Sequence, residues 1–251
     1  MRLRAFLADP DAENRVHNPA VARSFGFAGG LVPGVDTYAY LTRPVVERWG
    51  LDWLRHGWAE LRLLKPVFDA DDLEIAFEGN TVTATKADGE RCAELRVGME
   101  RRQVQPLPPE ERPLPARRFE ASEASFRLHG FGTYRQTVTE EQARRHLRDV
   151  LETLPVYDRE AIIHPAHLLR FANTALSANY CLGPWLHVGS SIQHVGLVAR
   201  GQEVEARARL AGCFDKKGHR FVEVDVEVTG ARIRHTAIYE PAFVSQRRAP
   251  T

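Results

Sequence analysis

The chain has 251 residues, enough for one large domain or for two small domains with their own cores. Apolar residues make up 43% of the sequence, so we expect a packed globular protein rather than a disordered chain. The 34 basic and 33 acidic residues leave a formal net charge of +1, and this balance argues against a nucleic-acid-binding protein.

The sequence also indicates the cellular setting. No apolar run is long enough to span a bilayer, so we expect no membrane association. The charged residues 1–4 are not followed by the apolar stretch and small-residue cleavage site of a secretory signal. The three cysteines, Cys92, Cys181 and Cys213, are scattered and form neither a disulfide framework nor a CxxC metal pair. We therefore expect a cytoplasmic protein with no metal site.

The first half predicts one helix followed by four strands. The helix is expected to start at Gly34 and to end near Gly50, because apolar residues recur at helical spacing between them. Pro44 should bend or shorten this helix. Alternation of apolar and polar residues, interrupted by turn residues, predicts strands at 58–64, 73–78, 81–85 and 91–99.

A proline-rich segment separates the two halves. Residues 103–124 contain five prolines mixed with Glu and Arg. Proline lacks an amide proton and has a fixed φ, so this segment can be neither a central strand nor a continuous helix. We therefore divide the chain into an N-terminal unit (1–102), a linker (103–124) and a C-terminal unit (125–251).

The second half repeats the order of the first. A helix is expected to start at Pro165 and to stop before Gly183, and strands are expected at 204–210, 220–228 and 232–239. Within 220–228, four valines alternate with three acidic residues, which is the period of an antiparallel strand with one solvated face.

Three weak matches between the halves share one order. Residues 31–34 match 162–165, Trp58 matches Trp185, and residues 89–97 match 218–226, at offsets of 131, 127 and 129 (162 − 31, 185 − 58, 218 − 89). This pattern predicts a duplicated unit of about half the chain. We expect an α+β fold of two antiparallel sheets joined edge to edge, each wrapped around a central helix.

Two polar features precede the first helix. One is a loop with two carboxylates, an amide and an imidazole, from Asp11, Glu13, Asn14 and His17. A histidine beside a carboxylate can hold a water molecule or move a proton near neutral pH, although His17 could also be a loop histidine that caps a turn. The other is a glycine-rich approach to the helix, which is either an anion site or simply a tight connection.

The start of the helix at Gly34 suits a developing oxyanion. A helix N-terminus has free N–H groups and the positive end of the helix dipole. Because Gly34 lacks a Cβ atom, a ligand carbonyl could approach the backbone there.

These segments resemble the signature of MaoC-like, (R)-specific enoyl-CoA hydratases. The matching residues are Asn14-x-x-His17, then Ala22-x-x-x-Gly26-Phe27-x-Gly29, then Leu31-Val32-Pro33-Gly34-Val35. The motifs cover roughly the first fifty residues, and the duplication extends the resemblance over most of the chain. The resemblance implies a double hotdog fold. It also implies hydration of 2-enoyl thioesters, or dehydration of 3-hydroxyacyl thioesters, carried by coenzyme A or a carrier protein.

The resemblance assigns catalytic roles to two of these residues. His17 takes the role of the acid–base histidine, and the backbone N–H of Gly34 binds the thioester oxygen. Asn14 matches an asparagine that braces the loop. No cofactor is expected, since coenzyme A enters only as part of the substrate.

One departure from the family concerns the catalytic aspartate. The family places it five residues before the histidine, where this chain has Ala12. Asp11 and Glu13 flank that position, and either is a candidate for the missing acid. Alternatively, the site runs a different chemistry, or it binds without catalysing.

The substrate-binding candidates come from both units. They are Asn14, Gly29, Gly30, Val35, His164 and Asn173. His164 occupies the helix-start position of the second unit, where it would line a pocket or cap the helix. Asn173 lies on the second helix, where it either faces ligand or is satisfied by Ser177.

Two other functions remain open on the sequence alone. A thioesterase would release free thiol, and a catalytically silent acyl-CoA-binding protein would bind without turnover. Because a double hotdog contains within one chain the pairing that single hotdogs obtain by dimerising, a monomer and a homodimer are both expected possibilities.

Overall fold

Ten strands from both halves form one sheet in the computed structural model, which describes residues 1–102, 106–108 and 111–244. The first half contributes β1 (Arg2–Arg4), α1 (Pro19–Ser24), α2 (Gly34–His56), β2 (Trp58–Leu63), β3 (Asp72–Glu78), β4 (Thr81–Lys86) and β5 (Arg91–Gly98), with a 3-10 turn at Arg15–His17. The second half contributes β6 (Phe119–Glu120), α3 (Glu123–His129), β7 (Tyr134–Thr137), α4 (Glu140–Asp149), α5 (Val156–Arg159), α6 (Pro165–Ser177), β8 (Tyr180–Cys181), β9 (Leu186–His194), β10 (Glu203–Lys216), β11 (His219–Val228) and β12 (Ala231–Glu240).

The sheet is symmetric about its centre. Its order is β1-β3-β4-β5-β2-β9-β12-β11-β10-β7, and every neighbouring pair is antiparallel. β2 and β9 join the halves, with Leu61 opposite Ser190. Read outward from this junction, the two sides have the same succession of strands, so the duplication and the edge-to-edge joining are confirmed.

The offset between the halves is fixed by two isolated bridges. Leu31 pairs with Phe68, and Ile162 pairs with Ala199. Each residue of the second bridge lies 131 positions after its counterpart (162 − 31 and 199 − 68), as the match at the helix starts predicts.

The match between residues 89–97 and 218–226 is wrong. Residues 89–97 lead into β5, whose counterpart across the sheet is β12, whereas residues 218–226 form most of β11, the counterpart of β4. The error has a physical origin. Gly89, Gly218 and Gly230 each begin a Gly-x-Arg sequence, at the starts of β5, β11 and β12, and all three strands have a two-residue period. A Gly-x-Arg start therefore does not distinguish one of these strands from the next.

The two central helices lie on the same side of the sheet. α2 contacts β2, β3, β4, β5 and β9, α6 contacts β10, β11 and β12, and the two helices contact each other. The four valines of β11 are buried beneath α6, while Glu227 and Asp225 on the opposite face pair with arginines. The buried apolar residues form one main cluster to which both halves contribute.

α2 breaks where the sequence predicts its end, and a short helical segment follows the break. It continues to His56, and its break falls at Gly50, whose φ of 56° and ψ of −141° only glycine adopts easily. Pro44 lies inside the helix and does not end it. Leu41, Val45 and Val46 are buried around it, so packing outweighs the hydrogen bond that proline cannot make.

The predicted linker is only partly described, because residues 103–105 and 109–110 lie outside the described residues. Its last part packs with the second half. β6 pairs in parallel with β8, and the Ser122 hydroxyl accepts a hydrogen bond from the Ser125 N–H at the start of α3. Residues 245–251 of the predicted C-terminal unit also lie outside the description.

Among the helices of the described residues, none combines the length and the apolar character needed to cross a bilayer.

Candidate active site

A cavity of about 240 Å³ lies between the N-terminal loop, the start of α2 and the second half. We call it the central cavity. Its polar lining comes from Asn14, His17, Thr37, Lys65, Asn173, His187 and His219, and its remaining lining from Val16, Leu31, Val32, Pro33, Gly34, Leu63, Leu64, Pro66, Val67, Trp185, Leu186, Val188 and Ile238. Within the part of the chain that the structure describes, no Asp or Glu lines it.

His17 presents one ring nitrogen for chemistry. Its Nδ1 lies 2.7 Å from the carbonyl oxygen of Leu31, and because a carbonyl only accepts, Nδ1 carries the proton. The Leu31 N–H in turn donates to the Val16 carbonyl at 3.1 Å, which holds the loop against the helix approach. Nε2 is therefore left with a free lone pair.

The protonation state of His17 follows from its surroundings. Burial lowers its pKa below 6.5, and this effect outweighs the raising effects of the Leu31 carbonyl and of Asp36. The ring is therefore neutral at pH 7. A neutral imidazole with a fixed tautomer can take a proton from water at Nε2.

Asn14 braces the loop, as the resemblance implies. Its Nδ2 donates to the Trp185 carbonyl at 2.9 Å, and its Oδ1 accepts from the Trp185 N–H at 3.4 Å. Both polar ends of the amide are thus used to fasten the first-half loop to the second half. Asn14 lines the central cavity and shapes it, with its hydrogen-bonding groups engaged.

The start of α2 reaches the cavity without a side-chain cap. The cap residue is Pro33, which provides no side-chain hydrogen bond to the first turn. A Cβ atom on Gly34 would lie 2.4 Å from Leu63 Cδ1 and 2.8 Å from His187 Nδ1. Glycine is needed here because the side chains of Leu63 and His187 already occupy the space that a Cβ atom would take.

The other predicted residues of the helix approach have supporting positions. Val35 is fully buried in the main core. A Cβ atom on Gly30 would lie 2.4 Å from the His17 carbonyl oxygen, so this glycine lets the approach pack closely beneath the histidine loop. Gly29 has open space around it. These three residues are not part of the cavity lining.

Glu13 and Asp11 point away from the cavity. The Glu13 side chain is 68% exposed and forms an ion pair with Arg118. Asp11 is exposed and accepts a hydrogen bond from Asn18 Nδ2 at 3.4 Å. The loop therefore places both candidate carboxylates at the surface.

The site also includes a buried carboxylate, Asp36, to which the sequence does not point. Its side chain is 3% exposed, and Oδ1 lies 2.5 Å from Arg170 Nη2 on α6. Burial raises its pKa, opposed by Arg170 and by His17. The only signal in the sequence was an acidic residue in the first turn of the predicted helix, and acids are common there for electrostatic reasons alone.

Of the two candidates on the second helix, Asn173 lines the central cavity and His164 does not. His164 caps α6, accepting at Nδ1 from the Ala166 N–H at 3.1 Å, and its Nε2 lies 3.6 Å from Glu152 Oε2. It belongs to a buried group of its own and does not line the central cavity. Asn173 does line it, and its buried Oδ1 has no hydrogen-bond partner among the described residues. This amide can therefore accept a hydrogen bond from a ligand or water.

His187 is a further cavity residue that the sequence did not single out. The segment from Trp185 to Ser191 predicts an ordinary packed strand. In the structure the His187 ring lines the cavity beside Gly34. A histidine inside a core strand carries no motif, so only the fold reveals its place.

The symmetric sheet, the paired central helices and the cavity at their junction define a double hotdog protein. The structure is similar to that of a MaoC-like dehydratase at a TM-score of 0.58 and 13% identity, over 96% of each chain. A conserved Mycobacterium tuberculosis protein with a double hotdog fold has a TM-score of 0.59 and 12% identity, over 95% of this chain and 93% of that one.

A third similar structure comes from a different enzyme class. It is a Lactobacillus plantarum protein assigned as an oleoyl thioesterase, with a TM-score of 0.54 and 12% identity over 96% of both chains. No family model matches the chain, and no curated protein matches it in sequence. At these identities the comparisons confirm the fold, and they agree with the resemblance to MaoC-like hotdog proteins.

Proposed function

We propose that this protein adds water to 2-enoyl thioesters and removes water from 3-hydroxyacyl thioesters, with coenzyme A or a carrier as the thiol. The observation that carries the proposal is the neutral His17, which lines the same cavity as the uncapped start of α2 and has its Nδ1 bound to the Leu31 carbonyl. The three free cysteines suit a reducing cytoplasm, where such thioesters are made and used.

The proposed reaction needs one acid–base group and one oxyanion site. Water oxygen bonds to C3 of the enoyl group while its proton passes to His17 Nε2, and the C2–C3 π electrons move onto the thioester oxygen. The N–H groups at the start of α2 stabilise that enolate oxygen. His17 then returns the proton to C2, which restores the carbonyl and completes the addition of water.

Asn173 gives the attacking water a second partner. Its unpartnered Oδ1 accepts one water hydrogen while Nε2 of His17 accepts the other. An amide orients water but does not take its proton, so His17 carries all proton transfer. Such a site works without the family aspartate that Ala12 replaces, at a lower rate than a site with two proton carriers.

The test is turnover of short- and medium-chain trans-2-enoyl-CoA, followed by loss of the conjugated thioester absorbance. We expect turnover in the wild type and a loss of about 10²–10⁴-fold in His17→Ala, because a general acid–base contributes that much. His56→Ala, at the far end of α2, is the matched control and should keep full activity. Turnover that survives His17→Ala would exclude this site.

The same assay decides the roles of Glu13 and Asp11. Because both carboxylates point to solvent, we expect Glu13→Gln and Asp11→Asn to change the rate by less than about threefold, against about tenfold or more for Asn173→Ala. A loss in Glu13→Gln as large as that in His17→Ala would instead make Glu13 the missing acid.

A second function is favoured by one observation, the absence of a carboxylate from the described lining of the cavity. A thioester-binding protein without catalysis needs no such group. For such a protein, calorimetry would detect binding of acyl-CoA, and the conjugated thioester absorbance of enoyl-CoA would not fall at any chain length. Appearance of free thiol in place of hydration would identify a thioesterase.

A further inference from the structure

A buried chain of three side chains adjoins the central cavity. His187 Nε2 lies 2.9 Å from Ser190 Oγ, which lies 3.0 Å from His235 Nδ1. The two imidazole rings are 4.3 Å apart between centroids. Ser190 and His235 are buried, and His187 reaches the cavity beside Gly34.

A β-bulge in β9 brings these three side chains together. In a regular strand, residues three apart point to opposite faces. The consecutive β12 residues Thr236 and Ala237 pair with Gly189 and His187 of β9, so Val188 is an extra residue in β9. The extra residue brings His187 to the same face as Ser190, and bulges often re-aim a side chain next to a site in this way.

The protons along the chain are coupled. The Ser190 hydroxyl has one hydrogen, so between two ring nitrogens it donates to one and accepts from the other. Burial lowers the pKa of His187 to about 4 and that of His235 well below its usual value, so both rings are neutral at pH 7. Only two arrangements of the protons remain. They differ in whether His187 or His235 carries the N–H that is not bonded to Ser190.

The two ends are not equivalent. His235 Nε2 and His187 Nδ1 are both buried without a hydrogen-bond partner among the described residues. His235 is fully buried, whereas the His187 side chain lines the central cavity, so only an N–H at the His187 end can gain a partner from a bound ligand. Because an unpaired buried N–H is rarer than an unpaired buried acceptor, the bare nitrogen is assigned to His235. His235 then donates from Nδ1 to Ser190, Ser190 donates to His187 Nε2, and His187 keeps its proton on Nδ1.

We propose that His187 is a substrate-binding residue that donates a hydrogen bond from Nδ1–H to the thioester carbonyl oxygen at the start of α2. Ser190 and His235 are positioning residues that set its tautomer. The ligand assignment and the choice of tautomer both rest on the proposed function, because the N–H of His187 gains a partner only when a ligand is bound. A neutral imidazole donor fits an enolate oxygen, because it stabilises the developing charge while keeping its own proton.

The first test measures the tautomer directly. Long-range ¹H–¹⁵N spectra of the histidine-labelled protein distinguish Nδ1–H from Nε2–H rings, and His187→Gln assigns the signal. We expect His187 protonated on Nδ1 at pH 7. In Ser190→Ala this preference should be lost, while Ser191→Ala, its exposed neighbour, should leave it unchanged. An Nε2–H ring in the wild type would overturn the inference, whatever the protein binds.

The second test measures the contact with the carbonyl. Calorimetry compares butyryl-CoA with S-butyl-CoA, in which a methylene replaces the carbonyl. We expect the wild type and Ser191→Ala to prefer the thioester by about tenfold, and His187→Leu to lose that preference while binding the thioether normally.

The outcomes separate the two proposals. A thioester preference that persists in His187→Leu would refute the role of His187 and leave the thioester site in place. Failure of the wild type to bind either compound would refute the proposed function and the ligand role of His187 together, and the spectra would still decide the tautomer.

Discussion

At the scale of single residues, the behaviour of His17 depends on a balance between burial and two local interactions. Burial favours the neutral ring, whereas the Leu31 carbonyl and the buried Asp36 favour the cation. Since burial prevails, the base form of His17 should persist to a pH below 6.5.

This balance predicts the pH dependence of catalysis. As pH rises, kcat/KM for enoyl-CoA hydration should increase while His17 loses its proton, with a midpoint below 6.5, and should then stay level through pH 8. Initial rates between pH 4.5 and 8.5 at constant ionic strength would measure it. A midpoint above 7 would mean that a different group, or a less buried His17, controls the rate.

The sequence predicts the part of the site that lies in contiguous motifs. Asn14, His17 and Gly34 follow one another within a short stretch, and the structure brings them to the same cavity. Asp36 and His187 were missed because their importance comes from what packs against them. A buried partner on α6 and a bulge in β9 leave no pattern in the sequence.

At the scale of elements, α2 and α6 are tied together by one ion pair at the edge of the site. Asp36 is almost fully buried, while the Arg170 side chain remains 40% exposed. Such an asymmetric pair stabilises the helix contact mainly by preventing an uncompensated buried carboxylate.

Arg170→Met should therefore destabilise the protein by about 2 kcal/mol, less than the roughly 3–5 kcal/mol of a fully buried pair because of solvent screening. Since burial already raises the Asp36 pKa, the loss should grow as pH rises and the carboxyl ionises. Urea unfolding at pH 5 and pH 8 measures both effects. The double variant Asp36→Asn/Arg170→Met should recover most of the loss, and a double variant less stable than the single one would contradict this account.

The elements themselves differ in how well the sequence predicts them. Strands with one buried and one charged face, such as β11, were predicted nearly to the residue, because alternation reports burial directly. In α2 the sequence predicts the break at Gly50, where the backbone leaves helical geometry before a last turn that ends at His56. It does not predict that the helix continues through Pro44, because the burial around this proline is unknown from the sequence. The correspondence between strands of the two halves could be assigned only from the observed strand order of the sheet.

At the scale of the whole molecule, the halves share both a sheet and a core. β2 pairs with β9 along five residues, α2 contacts α6, and one apolar cluster includes buried residues from each half. The central cavity uses the same junction, because Asn14 fastens the N-terminal loop to Trp185 across it. Stability and the site therefore depend on the same contacts, and neither half should unfold without the other.

A single cooperative transition follows from this sharing, and the tryptophans allow it to be observed. Three of the four, Trp49, Trp53 and Trp58, belong to the first half, so Trp185→Phe leaves fluorescence that reports the first half alone. In that background, Val224→Ala removes buried methyl groups from β11, on the far side of the sheet. It should cost about 1–3 kcal/mol.

If the halves fold as one unit, Val224→Ala shifts the fluorescence midpoint of the first half as far as it shifts the circular dichroism of the whole chain. If each hotdog unit folds independently, the dichroism becomes biphasic and the fluorescence midpoint stays in place. We expect the coincident shift, because unfolding the second half alone would expose the edge of β2 and the face of α2 that packs on β9 and α6.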